Sequence, residues 1–182
     1  MQPIKKLTRI LELLADEEHY LFTLDDLHGA LPDVTRGAVK AVVCRAEKDG
    51  MLRRVCRGIY LYPKAAYPQG LLLYHAAARL RAAEFNYISL ESALSDAGVI
   101  SQVHINWITL MSSGRSTIVS CGAFGTIEFI HTKRRPETIA EHLVYDQRCH
   151  LWRASVPLAL KDMSSTKRST DLVDAEAGNE PV

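Results

Sequence analysis

Four cysteines in 182 residues, widely separated and never at Cys-x-x-Cys spacing, offer no disulfide framework and no zinc ribbon. Cys44, Cys56, Cys121 and Cys149 read as reduced structural thiols, as in a cytoplasm. Long hydrophobic runs are absent too. The longest, Gly70-Leu-Leu-Leu-Tyr, is soon interrupted by His75, Arg79 and Arg81, well short of the ~20 residues of a membrane helix. Met1-Gln-Pro-Ile-Lys-Lys-Leu has no apolar core after its lysines, so no signal peptide is expected. The seven histidines (19, 28, 75, 104, 131, 142, 150) show neither His-x-x-x-His nor a carboxylate at zinc-ligand spacing, and no metal or cofactor is expected. Gly-x-Ser-x-Gly is missing, Gly122-Ala-Phe-Gly125 is too short for a dinucleotide loop, and neither Cys121 nor Cys149 has a readable base. An enzyme is therefore not expected. Net charge is also scarce, at +1 for the chain. The scarcity argues against a uniformly basic nucleic-acid binder.

What charge there is, however, is polarised. Residues 1–33 carry three basic and seven acidic side chains, whereas residues 34–64 carry eight basic and two acidic ones, a local +6. That basic stretch reads as a helix, a glycine stop at Gly50, and a ribbon with arginines at its tip. Thr35 or Asp33 caps the helix, and Val39, Val42, Val43 and Ala46 recur at inward spacing, leaving Arg36 and Lys40 on one outward face. Leu52-Arg-Arg-Val and Gly58-Ile-Tyr-Leu-Tyr are the ribbon strands, joined through Cys56-Arg57-Gly58, and alternation should send two of Arg53, Arg54 and Arg57 to one side. Two shorter helices precede. One is a stripe of Ile4, Leu7, Ile10, Leu11 and Leu14, and the other is capped by Thr23 with Asp25 and Asp26 in its first turn. This order is that of a winged helix-turn-helix. Arg36 would then meet a base, Lys40 a base or the flanking phosphate, Thr35 a phosphate, and Arg53, Arg54 and Arg57 the backbone or minor groove.

Pro63 and Pro68 mark a boundary. The expected organisation is α+β: a winged helix-turn-helix at 1–64, a mixed α/β domain with a small sheet at 65–163, and a disordered tail at 164–182. In the second domain a helix is expected over 69–84, Ser89 should cap a helix ending before Gly98, and strands are expected at 106–111, 117–121 and 126–132. Further helices are expected around 138–144 and from Pro157 to Met163. Lys133-Arg134-Arg135 forms a basic loop, a candidate for phosphate or acidic-partner contact beside the plainer reading of a solvated loop.

Three segments resemble one family. Arg57-Gly-Ile-Tyr-Leu-Tyr-Pro63 resembles the R-G-[IV]-Y-x-x-P that closes the wing of AbiEi-type antitoxins. Tyr87-Ile-Ser-Leu-Glu-Ser-Ala-Leu-Ser-Asp-Ala-Gly-Val-Ile100 resembles their Y-[IV]-S-x-x-S-A-L-x-x-x-G-[LI] segment. Ala154-Ser-Val-Pro-Leu-Ala-Leu-Lys-Asp162 is similar to their A-x-P-x-x-A-L-x-D ending, without the acid before Ala-Leu. The resemblance implies a type IV toxin–antitoxin (abortive infection, phage defence) antitoxin. Such a protein represses its own promoter and is paired with a nucleotidyltransferase toxin, with a C-terminal domain required for antitoxicity. The expected partners are double-stranded DNA with promoter inverted repeats and, functionally, the toxin; the chain would be cytoplasmic, a monomer in solution or a dimer on DNA. Lys133, Arg134 and Arg135 are candidates for antitoxicity. Two other readings stand beside it: a regulator of another operon whose C-terminal domain senses a ligand, and a nucleic-acid-processing enzyme.

Overall fold

Apolar residues three and four apart build the first helix, and Leu27, Leu31, Val39, Val43, Ala46, Leu52 and Tyr62 join its Leu7 and Leu11 in one core. The computed structural model describes residues 2–101 and 106–169. It is a mixed α and β structure whose contacts divide it after Leu80 into two compact units.

In the first unit, α1 (Pro3–Leu14) starts with proline in its first turn, where a missing N–H costs nothing, and buries Leu7 and Leu11. A three-residue strand, β1 (Leu21–Thr23), leads into α2 (Leu24–Gly29). Thr23 and Asp26 cap α2 reciprocally: the Asp26 N–H donates to Thr23 Oγ1 (3.0 Å) and the Thr23 N–H to Asp26 Oδ2 (2.7 Å). α3 (Arg36–Lys48) is capped by Thr35, whose hydroxyl accepts from the Ala38 N–H at 3.4 Å. Gly50 (φ 70°) follows, in the left-handed region that favours glycine. Leu7, Leu11, Leu27, Leu31, Val39, Val43, Ala46, Leu52 and Tyr62 form one buried core.

The ribbon is β2 (Arg53–Cys56) and β3 (Ile59–Leu61), turning through Arg57-Gly58 with Gly58 at φ 85°. β3 lies between β2 and β1, antiparallel to both, so the sheet has three strands; β1 was not read from the sequence. The β2–β3 register shifts between Arg54 and Cys56. Strict alternation is thereby broken: Arg53, Arg54 and Arg57 are all exposed, while Val55 and Cys56 are buried.

The boundary expected at 64/65 falls later. The stretch after Pro68 is a single 3-10 turn (Gln69–Leu71) and α4 (Leu72–Leu80), which contacts β1 and β3 and belongs to the first unit. A buried polar pair ties it there, with the Tyr20 hydroxyl and His75 Nδ1 hydrogen-bonded at 2.6 Å and the Tyr67 ring stacked on Tyr20. Burial pushes the Tyr20 phenol well above its ordinary value, so the hydroxyl keeps its proton. The helix expected to reach residue 84 therefore stops at Leu80.

The second unit is built on a six-stranded mixed sheet, larger than the small sheet expected. Its strands are β4 (Asn86–Ile88), β5 (Trp107–Ser112), β6 (Thr117–Ser120), β7 (Thr126–His131), β8 (Leu143–Asp146) and β9 (Leu151–Ala154), in the order β6-β7-β5-β4-β9-β8. β5 is parallel to β7, β4 is parallel to β9, and the other neighbours are antiparallel. α5 (Leu90–Asp96) packs on β5 and on α7 (Val156–Ser165), which also meets β9. The helix expected over 138–144 is instead α6 (Pro136–Ile139), a 3-10 turn (Ala140–His142) and then strand β8, because Leu143, Val144 and Tyr145 pair with β9.

Residues 164–169, expected to lie in a disordered tail, are held to the second unit. α7 runs through Ser165, and Arg168 bonds Glu91 (2.6 Å) and Glu128 (2.5 Å), which anchors the chain that far. Residues 170–182, and His104, lie outside the described residues.

Candidate nucleic-acid interface

Helical periodicity decides which side chains α3 presents. Val39, Val43 and Ala46 are buried, so the opposite face consists of Gly37, Lys40, Ala41, Cys44 and Lys48, all exposed, flanked by Arg36 and Arg45. Lys40, Cys44 and Lys48 are four apart and form one stripe. Between the cations the side chains are small, so a flat or grooved partner can approach the helix backbone closely.

Arg36 is already engaged. Its guanidinium bonds Asp25 of α2 at 2.7 Å, with both side chains mostly exposed. The pair locks the first turn of α3 to α2, yet any anion reaching Arg36 has to displace a carboxylate. Thr35 uses its hydroxyl lone pair as the helix cap and keeps its proton for donation.

Burial, then the Glu47 charge, raises the Tyr60 phenol above its usual value, opposed by Arg54 and aided by Cys44, so residues of α3 and β2 converge on Tyr60 of β3. Arg54 lies along its own strand, its Nε donating to the Cys56 carbonyl at 3.4 Å. The candidates Thr35, Arg36, Lys40, Arg53, Arg54 and Arg57 thus share one unit and are all exposed. Asp25 was read only as a first-turn acid of α2 and Cys44 only as a structural thiol; the Arg36 pairing of the one and the exposure of the other were not read from the sequence. The exposure of Cys44 follows from its position one turn after Lys40.

The first unit also holds a groove of about 500 Å³ lined by Ile10, Leu11, Leu14, Phe22 and Leu27, beside an Arg79–Asp26 ion pair (3.1 Å). It is mainly apolar, and it is not in the second domain, where the ligand-sensing alternative would place its site.

The basic loop of the second unit is divided. Lys133 and Arg135 are exposed, but Arg134 is half-buried and its Nε donates to Asp162 Oδ1 at 3.1 Å. Asp162 is fully buried, and its other oxygen accepts from the Tyr87 hydroxyl (3.0 Å) and from Ser89 Oγ (2.8 Å). Arg134 is therefore the counterion of a buried carboxylate rather than a free surface cation.

Ser89, moreover, does not cap α5 with its side chain. Thr109 takes over: its hydroxyl accepts from the Ser92 N–H (3.1 Å) and donates to the Ser89 carbonyl, while the Thr109 N–H donates to Ser92 Oγ (2.8 Å). Leu90, buried at φ 58°, bears the strain of the turn that sends Ser89 toward Asp162.

Among the described residues no group of three or more His, Cys, Asp or Glu could hold a metal ion, and no helix is long and apolar enough to cross a membrane. No protein-family model matches the chain, and no curated protein matches it in sequence.

Proposed function

We propose that the first unit is a winged helix-turn-helix that reads duplex DNA, with α3 as recognition helix and the β2–β3 hairpin as wing. The chain would act as the antitoxin of a type IV toxin–antitoxin pair and as repressor of its own promoter in the cytoplasm. The observation that carries the DNA reading is the outward face of α3, where small residues alternate with cations next to three exposed hairpin arginines. Gly37, Ala41 and Cys44 let the helix enter a major groove without steric cost. Lys40 then meets a base or the flanking phosphate and Lys48 a phosphate, and the planar fork of Arg36 can span guanine O6 and N7 once it leaves Asp25. The hairpin arginines neutralise backbone phosphates, a contribution that falls with salt.

The antitoxin reading rests on the resemblance of the three motifs, and two of them have a physical reason to occur together. Tyr87 and Ser89 of one motif donate to Asp162, the last residue of another. Within this reading Lys133 and Arg135 are the two exposed cations of the basic loop that an acidic partner could meet.

The test uses the full chain in gel shifts on the DNA upstream of its own gene, beside co-expression with a nucleotidyltransferase if one is encoded next to it. Arg36→Ala with Lys40→Ala should abolish sequence preference, costing roughly 1–3 kcal/mol per base contact. Arg57→Ala should weaken all sequences alike and lower the salt slope by about one unit. Promoter binding that survives the Arg36/Lys40 double change would remove the recognition helix from this role. Protection from the toxin by residues 1–80 alone would remove the second unit from antitoxicity.

A further inference from the structure

No residue of α3 or of the hairpin lines the groove beside the Arg79–Asp26 pair. The groove lies within the first unit, between the end of α1, β1, α2 and the end of α4. Its volume of about 500 Å³ is in the usual range of small-molecule sites. Ile10, Leu14, Phe22 and Leu27 give it apolar walls, and Leu14, 60% exposed, stands on its open side. Its polar groups are His19, Asp26 and Arg79.

Those polar groups are already matched with one another or with a neighbour, but not exhausted. Arg79 Nη1 donates to Asp26 Oδ2 at 3.1 Å, and the same oxygen accepts the Thr23 N–H that belongs to the α2 cap. His19 Nδ1 meets Asp16 Oδ1 at 3.0 Å. Arg79 keeps Nε and Nη2 as donors and Asp26 keeps Oδ1 as an acceptor, with side chains 34% and 42% exposed. Among the described residues these three atoms have no other hydrogen-bond partner. The couple as a whole is neutral.

A charged head group does not suit such an edge. A carboxylate would have to draw Arg79 off Asp26 and leave two anions together. An ammonium would compete with Arg79 for Asp26 and set two cations side by side. Either charge would be desolvated without a counterion of its own. A primary amide needs no exchange. Its carbonyl accepts from Arg79 and its N–H donates to Asp26 Oδ1, while the ion pair and the α2 cap stay intact. We propose that the groove binds an uncharged amphiphile, an acyl chain ending in a primary amide. The chain covers Ile10, Leu14, Phe22 and Leu27, and the amide meets the Arg79–Asp26 edge. The site is independent of whether α3 reads DNA.

The experiment titrates the full-length, methyl-labelled chain with straight-chain amides and follows it by NMR. Octanamide should shift the methyl signals of Ile10, Leu14 and Leu27 to saturation and leave those of the second unit in place. Each methylene from butanamide to octanamide should tighten binding about two- to fourfold, the scale of one buried CH₂. Octanoate and octylamine should bind about tenfold more weakly, and Arg79→Met should weaken octanamide about tenfold, the size of one lost hydrogen bond. Gly29→Trp supplies a block: Gly29 lines the groove at the end of α2, and a Cβ there meets nothing within 4 Å. Circular dichroism should therefore be unchanged while the octanamide shifts disappear. Octanoate binding as tightly as octanamide, an affinity indifferent to chain length or to Arg79→Met, or shifts spread over both units would overturn the proposal. So would a dimer in sedimentation that Gly29→Trp dissolves, which would assign the groove to a second copy.

Discussion

Replacing Arg134 with alanine should destabilise the second unit far more than replacing either neighbour in Lys133-Arg134-Arg135. Asp162 is fully buried and has three donors, Tyr87, Ser89 and Arg134, of which only the guanidinium carries charge. Removing it leaves a carboxylate in a low-dielectric site held by two hydroxyls. Breaking a buried pair from one side costs about 3–5 kcal/mol. The Arg134 side chain is 34% exposed, so water replaces part of the loss and about 2–4 kcal/mol is expected. For a domain of this size that corresponds to a fall in Tm of roughly 10–20 °C. Lys133→Ala and Arg135→Ala, both exposed, should each stay within about 0.5 kcal/mol. Trp107 and Trp152 are the chain's only tryptophans and both lie in the second unit, so their fluorescence during urea unfolding isolates that unit. In an Arg134→Ala, Asp162→Asn double variant the cost should fall well below the sum of the single changes, because the uncompensated charge is gone. Equal stability of Arg134→Ala and Lys133→Ala would refute the reasoning. It follows that antitoxicity of the loop should be tested with Lys133 and Arg135 alone, since a triple replacement confounds binding with folding.

Cys44 is a built-in probe of the DNA reading: N-ethylmaleimide should modify it first, since Cys56, Cys121 and Cys149 are buried, and the adduct should weaken promoter binding by about tenfold or more, the scale of a lost base contact. Burial, reinforced by the Asp146 charge, pushes the Cys149 thiol up to about 11, so it should stay unmodified in the native chain at neutral pH. Asp25→Asn frees Arg36 and removes one repulsive charge from the DNA face, so affinity should rise about two- to fivefold, as expected for an exposed pair; weaker binding would instead make Asp25 a positioning residue. Burial alone would raise the Asp146 carboxyl, but hydrogen bonds from Arg153, Cys149 and the backbone outweigh it and hold it below 3.8. A depressed folded value contributes stability above the unfolded pKa and loses it as pH falls through the folded one, so the second unit should weaken below about pH 4. Asp146→Asn should flatten that acid dependence, and an unchanged slope in tryptophan fluorescence would count against the assignment.

Local signals in the first unit were readable because each was self-contained. The stripe of Leu7 and Leu11, the caps at Thr23 and Thr35 and the stop at Gly50 all act within a few residues, and α2 and α3 start directly after their caps while α3 ends two residues before Gly50. β1 was not legible, since Leu21-Phe-Thr is too short for a period and becomes a strand only by pairing with β3. The same applies to β8 and β9, whose four residues each are defined by pairing. The proline boundary misled because Pro63 and Pro68 bracket a turn within one unit. The bond from Tyr20 to His75, 55 residues apart, has no sequence signal at all.

Asp162 shows most clearly how sequence and structure divide the information. Read along the chain, Tyr87-Ile-Ser89 is an extended pair before a cap, and Ala159-Leu-Lys-Asp162 is the end of a helix turn. Each has an adequate local explanation, and neither asks for the other. In space the first motif exists to solvate the second: the Tyr87 and Ser89 hydroxyls aim at one carboxylate oxygen, and Thr109 caps α5 because Ser89 is occupied. Burial and the adjacent Asp162 charge raise the Tyr87 phenol well above its usual value, which keeps it a donor. A hydrogen bond to a charged group contributes about 1.5–3 kcal/mol, so Tyr87→Phe should cost that much although it removes one oxygen atom and no packing. Ser89→Ala should cost a similar amount, and the two together less than their sum, because both serve the same oxygen. Urea unfolding followed by tryptophan fluorescence measures all three. Additive losses would mean that the hydroxyls act separately, as a local cap and a local packing contact, and that the shared carboxylate does not bind the two motifs into one structural element.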